Sequence, residues 1–577
     1  MQKLLTLLLL SLCSLIINAQ IDSTHFVTTW RTSNPGFTND SSIVINTVPF
    51  ATYNYDVDWD NDGTFDDFGL TGVGIHQYAD TGTYTVRIRG RFPEIFFGTN
   101  FPGTNGFDNQ KIISIDQWGT QIWRELERAF DYCNNLEYNA TDAPNLDSLT
   151  SLRDMFRDAS KFNGNINNWD VSSIEDMTGL FTRAISFDQP LDNWDVSSVT
   201  NMIGMFFNAT SFNQPLNNWD VGSVKYMGSM FEDASSFNQP LNSWNVDSVL
   251  FMAYMFGNAS SFNQSLNNWN VSAVTNMIGM FSGATLFNGA LNNWNVSAVI
   301  DMFRMFRGAS SFNQVLNNWN VSAVTDMTQM FQWALNFNQP IDNWDVSSVT
   351  NLTYMFEGAS SFNQPLNSWS INSGAKLWSM FEGASSFNQP LNNWDMKSAD
   401  FLFYMFKDAI SFNQNLSSWD IDSVLDMTLA FENSGLSTAN YDSMLIAWNN
   451  KPHQMNVQFG AGGLTFCNGN NARLDLVIDG WTFSGDLYNC GIVGIDDLKT
   501  SAQNKLSISP NPSSGLVSIM MEEFPFNEFY FVSDLKGRVI QEGVLTSKAS
   551  QVDFFNLSEG LYFLRVGKET KKMIISR

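Results

Sequence analysis

Tryptophan returns every 25 residues, at Trp169, Trp194, Trp219, Trp244, Trp269, Trp294, Trp319, Trp344, Trp369, Trp394 and Trp419, eleven times without a slip. Phenylalanine keeps the same period from Phe162 to Phe412 and again from Phe156 to Phe431, and alanine from Ala159 to Ala409. A fixed period of about 20–50 residues predicts a solenoid, in which each copy buries its apolar face only by stacking on its neighbours. This excludes most globular arrangements for the middle of the chain.

One copy reads SFNQPLNNWDVGSVKYMGSMFEDAS, Ser211 to Ser235. Leu216, Trp219 and Val221 have the LxxLxL spacing of a short strand, and alternation puts Trp219 and Val221 inward with Asn218 and Asp220 outward. Val224, Met227, Met230, Phe231 and Ala234 fall on a helical stripe. The tryptophans therefore belong to the core rather than to a sugar-stacking platform. The Asn213 column runs from Asn163 to Asn413, broken only by Asp188, and predicts a ladder that bonds the backbone of the next coil.

The slot after Trp carries Asp170, Asp195, Asp220, Asp345, Asp395 and Asp420, with asparagine at 245, 270, 295 and 320 and Ser370. A row of carboxylates could hold cations or a basic partner, but a solvated acidic edge is the simpler expectation. The positions flanking the Met227 column vary most between copies. There Phe251, Tyr254, Phe303, Trp378, Phe401, Phe403 and Tyr404 replace small or polar residues. Exposed together they would form an interaction patch; they could equally be half-buried under a neighbouring turn, and both readings stand open.

The chain carries 57 acidic and 30 basic side chains among 577 residues, a net charge of -27, which argues against nucleic acid and anionic membrane surfaces. From Asp496 to Arg577 ten acidic and ten basic residues balance, so the acidity belongs to the earlier part and the end reads as a separate module. Three histidines and four cysteines leave little for histidine catalysis or a zinc site. No GxSxG, HExxH or P-loop pattern occurs. The uniform carboxylate row lacks the two differing environments a glycosidase needs. No enzyme is expected.

Residues 1–19 begin with Lys3, continue through LLTLLLLSLCSLII and end at Ala19, the pattern of a secretory signal peptide. Lipidation at Cys13 is disfavoured by Leu12 before it. No later apolar run of 18 residues predicts a membrane span.

The WDVSSVTNM…MF…A…FNQPL wording resembles BspA-like leucine-rich-repeat surface proteins, which implies an α/β solenoid of short parallel strands and helical turns over 161–435. By the same resemblance 116–160 and 436–491 are its N- and C-terminal caps. The resemblance implies attachment or partner binding at a bacterial surface and carries over no catalytic residue. Cys467 and Cys490, both in the C-terminal cap of an exported chain, are the disulfide candidates, and Cys133 is expected to be a buried thiol.

Residues 20–115 are β-rich, with Tyr84, Val86 and Ile88 alternating. HQYADTGTYTVRIRG and the aspartate-rich turn resemble PKD-type immunoglobulin-like domains, which implies an N-terminal β-sandwich-like domain. Asp58, Asp60, Asp62 and Gly63 match the opening of a calcium loop, with Asp66 in a later slot. Gly69 stands where a closing bidentate Glu belongs, so an acidic hairpin turn without an ion is the favoured reading and calcium the alternative. After a linker at 492–503, residues 504–577 show short strands split by PNPSSG, DLKGR and LSEG, the pattern of a β-sandwich. This stretch resembles the C-terminal sorting domain of the type IX secretion system through Pro510-Asn511-Pro512, Gly515, Asp534, Gly537, Gly560-Leu561-Tyr562 and Lys571-Lys572. That implies passage across an outer membrane, with surface attachment or release. The expected function is therefore a non-enzymatic adhesin or protein-interaction module, with a carbohydrate-binding surface component as the alternative. The expected partners are an extracellular protein or glycan and the secretion machinery, and calcium is the sole cofactor considered.

Overall fold

The computed structural model describes residues 22–98, 106–372, 374–490, 506–521, 528–567 and 569–577. The expected signal peptide and the linker at 492–503 lie outside the described residues. Among the described residues no helix is long and apolar enough to cross a membrane.

The N-terminal part forms β1 (Phe26–Arg31), β2 (Ser42–Ile45), β3 (Asn54–Asp58), β4 (Asp67–Leu70), β5 (Gly74–Gln77), β6 (Thr83–Arg91), β7 (Ile112–Gln117) and β8 (Glu137–Tyr138). Six strands make one sheet in the order β4-β3-β6-β1-β7-β8, and β2 pairs with β5 apart from it. The alternation read at Tyr84, Val86 and Ile88 is present: Val86 and Ile88 are buried and Tyr84 half-buried. The parallel β7–β8 pair carries this sheet past the expected seam at 115/116 into the first coil.

From there the chain winds in 25-residue coils. Parallel bridges join Ser151 to Asp176, Asp176 to Asn201, Asn201 to Tyr226 and onward, each to the same place in the next copy. The inward columns are as the pattern requires: Trp219, Val221, Val224, Met227, Met230, Phe231 and Ala234 are all buried. Along the Trp219 column the indole N–H groups reach back one coil, with Trp219 Nε1 donating to the Leu191 carbonyl at 3.0 Å and Trp244 Nε1 to Leu216 at 2.9 Å. Phenylalanine rings stack within a coil, Phe206 on Phe212 at 4.0 Å, and between coils, Phe206 on Phe231 at 5.6 Å. The asparagine column is a ladder, Asn238 N–H to Asn213 Oδ1 and Asn263 N–H to Asn238 Oδ1, both 2.9 Å. Asp188 fits it because the slot needs only an acceptor oxygen: it takes the Asn213 N–H at 2.9 Å.

Two local expectations are corrected. The Leu216–Trp219–Val221 segment is not a strand; the bridges fall at Tyr226 and its equivalents. Trp219 N–H bonds Leu216 O at 3.1 Å in its own coil and Asp220 Oδ1 takes the Gly222 N–H at 3.0 Å, so that backbone closes turns instead of a ladder. Nor are there helical turns: among the described residues, none from 161 to 435 is α-helical. Met202, Gly204, Phe206 and Asn208 donate to the next coil at 2.7–2.9 Å, while Met205 and Phe207 bond back three residues. Two residues of each coil, four apart, are left-handed, as at Ser229 (φ 54°) and Asp233 (φ 60°), which breaks any helix. Such residues cost about 1–2 kcal/mol each, and the coil-to-coil bonds offset that cost.

The stack ends in β9 (Asp426–Met427), α1 (Thr438–Asn449), β10 (Gln458–Gly460), β11 (Thr465–Phe466), α2 (Asn470–Ile478), β12 (Thr482–Ser484) and β13 (Leu487–Tyr488). The parallel order β12-β10-β9 continues the coil stacking, and Cys467 and Cys490 are joined by a disulfide with Cα atoms 4.8 Å apart. Cys133 is a free buried thiol. One hydrophobic core runs from Phe26 to Trp481. The last domain has its own core, around Leu506, Val517, Val532, Leu564 and Met573. It lies between antiparallel sheets β14-β15-β18 (Leu506–Ser509, Leu516–Met521, Ala549–Asp553) and β17-β16-β19-β20 (Val539–Leu545, Glu528–Ser533, Gly560–Val566, Glu569–Ile575).

Candidate functional site

Three groups of residues stood out in the sequence, and the structure treats them differently. The aspartates beside the tryptophans point to solvent, but each folds back on its own turn. Asp170 Oδ1 accepts the Ser172 N–H at 3.1 Å and its hydroxyl at 2.6 Å, and Asp195, Asp345 and Asp395 accept the N–H two residues on at 3.0 Å. Asp220 does the same toward Gly222 and Asp420 toward Asp422, at 3.3 Å. Asn245, Asn270, Asn295 and Asn320 make the same bond at 3.1–3.2 Å. The alternation of Asp and Asn thus follows from a slot that asks for an acceptor and is indifferent to charge. The Ser172, Ser197 and Ser347 side chains and N–H groups hold the Asp170, Asp195 and Asp345 carboxyls below their ordinary range.

The variable aromatics Phe251, Tyr254, Phe303, Trp378, Phe401, Phe403 and Tyr404 are half-buried, the second of the two readings left open by the sequence. They lie across neighbouring coils. A Cβ on Gly228 would sit 2.3 Å from the Phe251 ring, and one on Gly279 2.2 Å from the Tyr254 ring, so small residues receive the large rings of adjacent copies. Trp378 meets Phe401 and Phe403 edge-on at 6.2 and 5.7 Å.

Cations gather over these rings. Arg304 lies 4.6 Å from the centre of Phe303, Lys376 5.6 Å from Trp378 and Lys407 5.8 Å from Tyr404. Arg307 stands 4.6 Å over Trp333, a residue that is 43% exposed. Of the eight basic residues between 161 and 435, these four share one strip of five coils. Polar bridges tie the strip together: Arg307 Nε to Gln332 Oε1 at 2.7 Å, Gln332 to Glu357, and Lys407 Nζ to Glu382 Oε1 at 2.6 Å. Burial pushes the Glu357 carboxyl up.

Sequence reasoning passed over Trp333, Arg304 and Arg307. A signal was available, since Trp333 stands in a column otherwise filled by Asp, Asn, Arg and Gly from Asp158 to Asn433. That column is left-handed, as at Trp333 (φ 58°), which turns its side chains outward. A surface of this kind can take up apolar side chains through its ring edges and pair carboxylates through its guanidinium groups.

The calcium-loop residues divide. Carboxylate oxygens of Asp58, Asp60 and Asp66 lie within 4.8 Å of one another. Asp62 is not among them; its Oδ1 takes the Thr64 N–H at 2.7 Å.

Against known families, the model described as "Mycoplasma protein of unknown function, DUF285" matches residues 99–206, 124–233, 189–291, 265–359 and 336–448, more than half of the chain in all. The model described as "Secretion system C-terminal sorting domain" matches residues 507–576. No curated protein and no solved structure gives a significant match.

Proposed function

Because the chain belongs to the DUF285 family and ends in a secretion-system sorting domain, we propose that it is a non-enzymatic adhesin or protein-interaction module on the cell surface. The cation-capped aromatic strip from Phe303 to Lys407 is its binding face. Export would run through the type IX machinery, which recognises the last domain. The coil stacking supports reading 161–435 as a solenoid related to leucine-rich repeats, and the β-rich start supports a PKD-type immunoglobulin-like unit. The observation that carries the binding role is the concentration of the repeats' cations over rings in one strip of an otherwise acidic surface. A scaffold column has no need of such variation between copies, whereas recognition does. The carboxylates beside the tryptophans share one environment, which favours binding over acid–base catalysis.

A protein with acidic and apolar side chains is the ligand class that the strip fits. The full chain screened on paired protein and glycan arrays tests this. Protein partners should weaken with rising salt, and Trp333→Ala should cut their affinity at least tenfold while Asp220→Asn leaves it unchanged. Glycan hits that depend on Trp333 and ignore salt would favour a carbohydrate-binding component, the reading that the exposure of Trp333 supports. Turnover of any bound ligand would overturn both.

A further inference from the structure

The loop between β3 and β4 contains a carboxylate whose surroundings do not complete it. Asp58 is fully buried at the end of β3. Its Oδ2 accepts the Gly63 N–H at 3.1 Å, while its Oδ1 is buried and has no hydrogen-bond partner. An unpaired buried carboxylate oxygen is among the costlier features a fold can carry, because water has been removed and nothing has replaced it. Burial accordingly pushes the Asp58 carboxyl up.

Two further carboxylates converge on the same point. Asp60 and Asp66 are exposed, and oxygens of all three residues lie within 4.8 Å of one another. Each carboxylate is steadied from outside the cluster: Asp60 Oδ1 takes the Asp62 N–H at 3.2 Å, and Asp66 Oδ2 takes the Trp59 N–H at 2.9 Å. Each therefore keeps a second oxygen that this bond does not use. Arg87 faces Asp58 across the β3–β6 pair but directs its guanidinium to the Asn61 side chain, and no described ion pair joins Arg87 to Asp58. Three negative charges against that one cation leave an excess of two.

We propose that Asp58, Asp60 and Asp66 form a calcium site. Three oxygens within 4.8 Å of one another lie close enough for one ion, at the calcium–oxygen distance of about 2.4 Å, to draw them into a single shell with small side-chain shifts. The ion supplies the partner that Asp58 Oδ1 lacks, and the open side left by the two exposed aspartates admits the waters that fill a hard cation's shell. The site differs from the loop that the sequence pattern suggests in leaving out Asp62. Asn61 (φ 61°) and Gly63 (φ 95°) are both left-handed, and the turn they make carries Asp62 out to its own bond with Thr64. Since β3 lies two strands from β1 in the sheet that runs into the first coil, the ion would brace the base of the repeat stack.

The test uses the full chain stripped by a chelator and titrated with terbium, a luminescent stand-in for calcium that Trp59, between two of the ligands, can sensitise. Emission that calcium displaces, with at least a tenfold loss of terbium affinity in both Asp60→Asn and Asp66→Asn, is the expected result. These two residues are on the surface, so their variants leave the core intact. Asp58→Asn should remove the calcium-induced rise in thermal stability while folding without calcium at least as well as the parent. The proposal is overturned by the absence of calcium-displaceable emission in the parent chain. It is equally overturned by Asp60→Asn and Asp66→Asn binding terbium like the parent. In that case Arg87 closing on Asp58 is the way the buried charge is met.

Discussion

Along the edge that carries Asp170, Asp220 and Asn295 each coil repeats the one before it, whereas on the face that carries Phe251, Trp333 and Tyr404 the coils differ. The first edge is closed on itself: every carboxylate or amide in the slot spends its bond on the N–H two residues ahead. The second is open, with rings that lean across coils and cations that cover them. The same backbone supports both, so the difference lies in what each position must satisfy. A repeated residue answers a demand made by the next coil, and a varied one answers a demand from outside the stack. That contrast fails if the repeated columns prove dispensable or the varied ones prove structural.

The largest effect should come from the innermost column. Trp269 is 2% exposed, stacks on Trp244 at 6.3 Å and gives its indole N–H to Leu241 O at 2.8 Å. Trp269→Ala should cost roughly 3–5 kcal/mol, read as an earlier or split denaturation transition. A loss under about 1 kcal/mol would mean that neighbouring coils close over the gap and that the column is not what sets the stack.

A smaller effect separates the role of a side chain from its charge. Asn288 Oδ1 accepts both the Asn313 N–H at 2.9 Å and the Gln314 side-chain amide at 3.0 Å. Asn288→Ala should cost about 0.5–1.5 kcal/mol, since the two bonds it removes are exposed and water can take up the freed donors. Asn288→Asp should cost much less, because Asp188 already fills the same rung. Equal losses in chemical denaturation would show that the rung depends on more than an acceptor.

The inward columns were legible in the sequence because burial acts on side-chain size, and a strict period displays size directly. Trp219, Phe231 and Ala234 were placed correctly for that reason. Backbone conformation was not legible. Val224, Met227, Met230 and Phe231 have the spacing of a helix face, yet Ser229 and Asp233 between and beyond them are left-handed. Glycine would have announced such positions, but here the columns also hold Tyr254, Arg304 and Trp333, held there by bonds to the next coil that no single copy reveals. The aromatic strip was half legible for the same reason: ring-bearing columns beside Met227 stood out, while Trp333 sat in a column whose outward direction depends on that conformation. The aspartate loop shows the converse: the spacing drew together Asp58, Asp60, Asp62 and Asp66, and the turn at Asn61 and Gly63 decides that three of them meet while Asp62 is carried away.

The smallest effect concerns the closed edge and has a definite sign. Asp170, Asp195 and Asp345 are held below the ordinary carboxylate range chiefly by the hydroxyls of Ser172, Ser197 and Ser347. A carboxyl whose folded value is depressed adds stability that is complete above its unfolded value, and loses it as pH falls through the folded one. The contribution should therefore be full at neutral pH and fade only below about pH 4. These groups are almost wholly exposed, so solvent screening keeps it small. Replacing all three by asparagine keeps the acceptor that Asn270 and Asn295 already provide in other coils. The triple variant should match the parent at pH 7 within roughly 0.5 kcal/mol and lose less melting temperature than the parent between about pH 4 and pH 2. A clear loss at pH 7 would show that the carboxylates do more than accept a bond. The edge would then have to be counted with the aromatic strip as a surface that serves something beyond the stack.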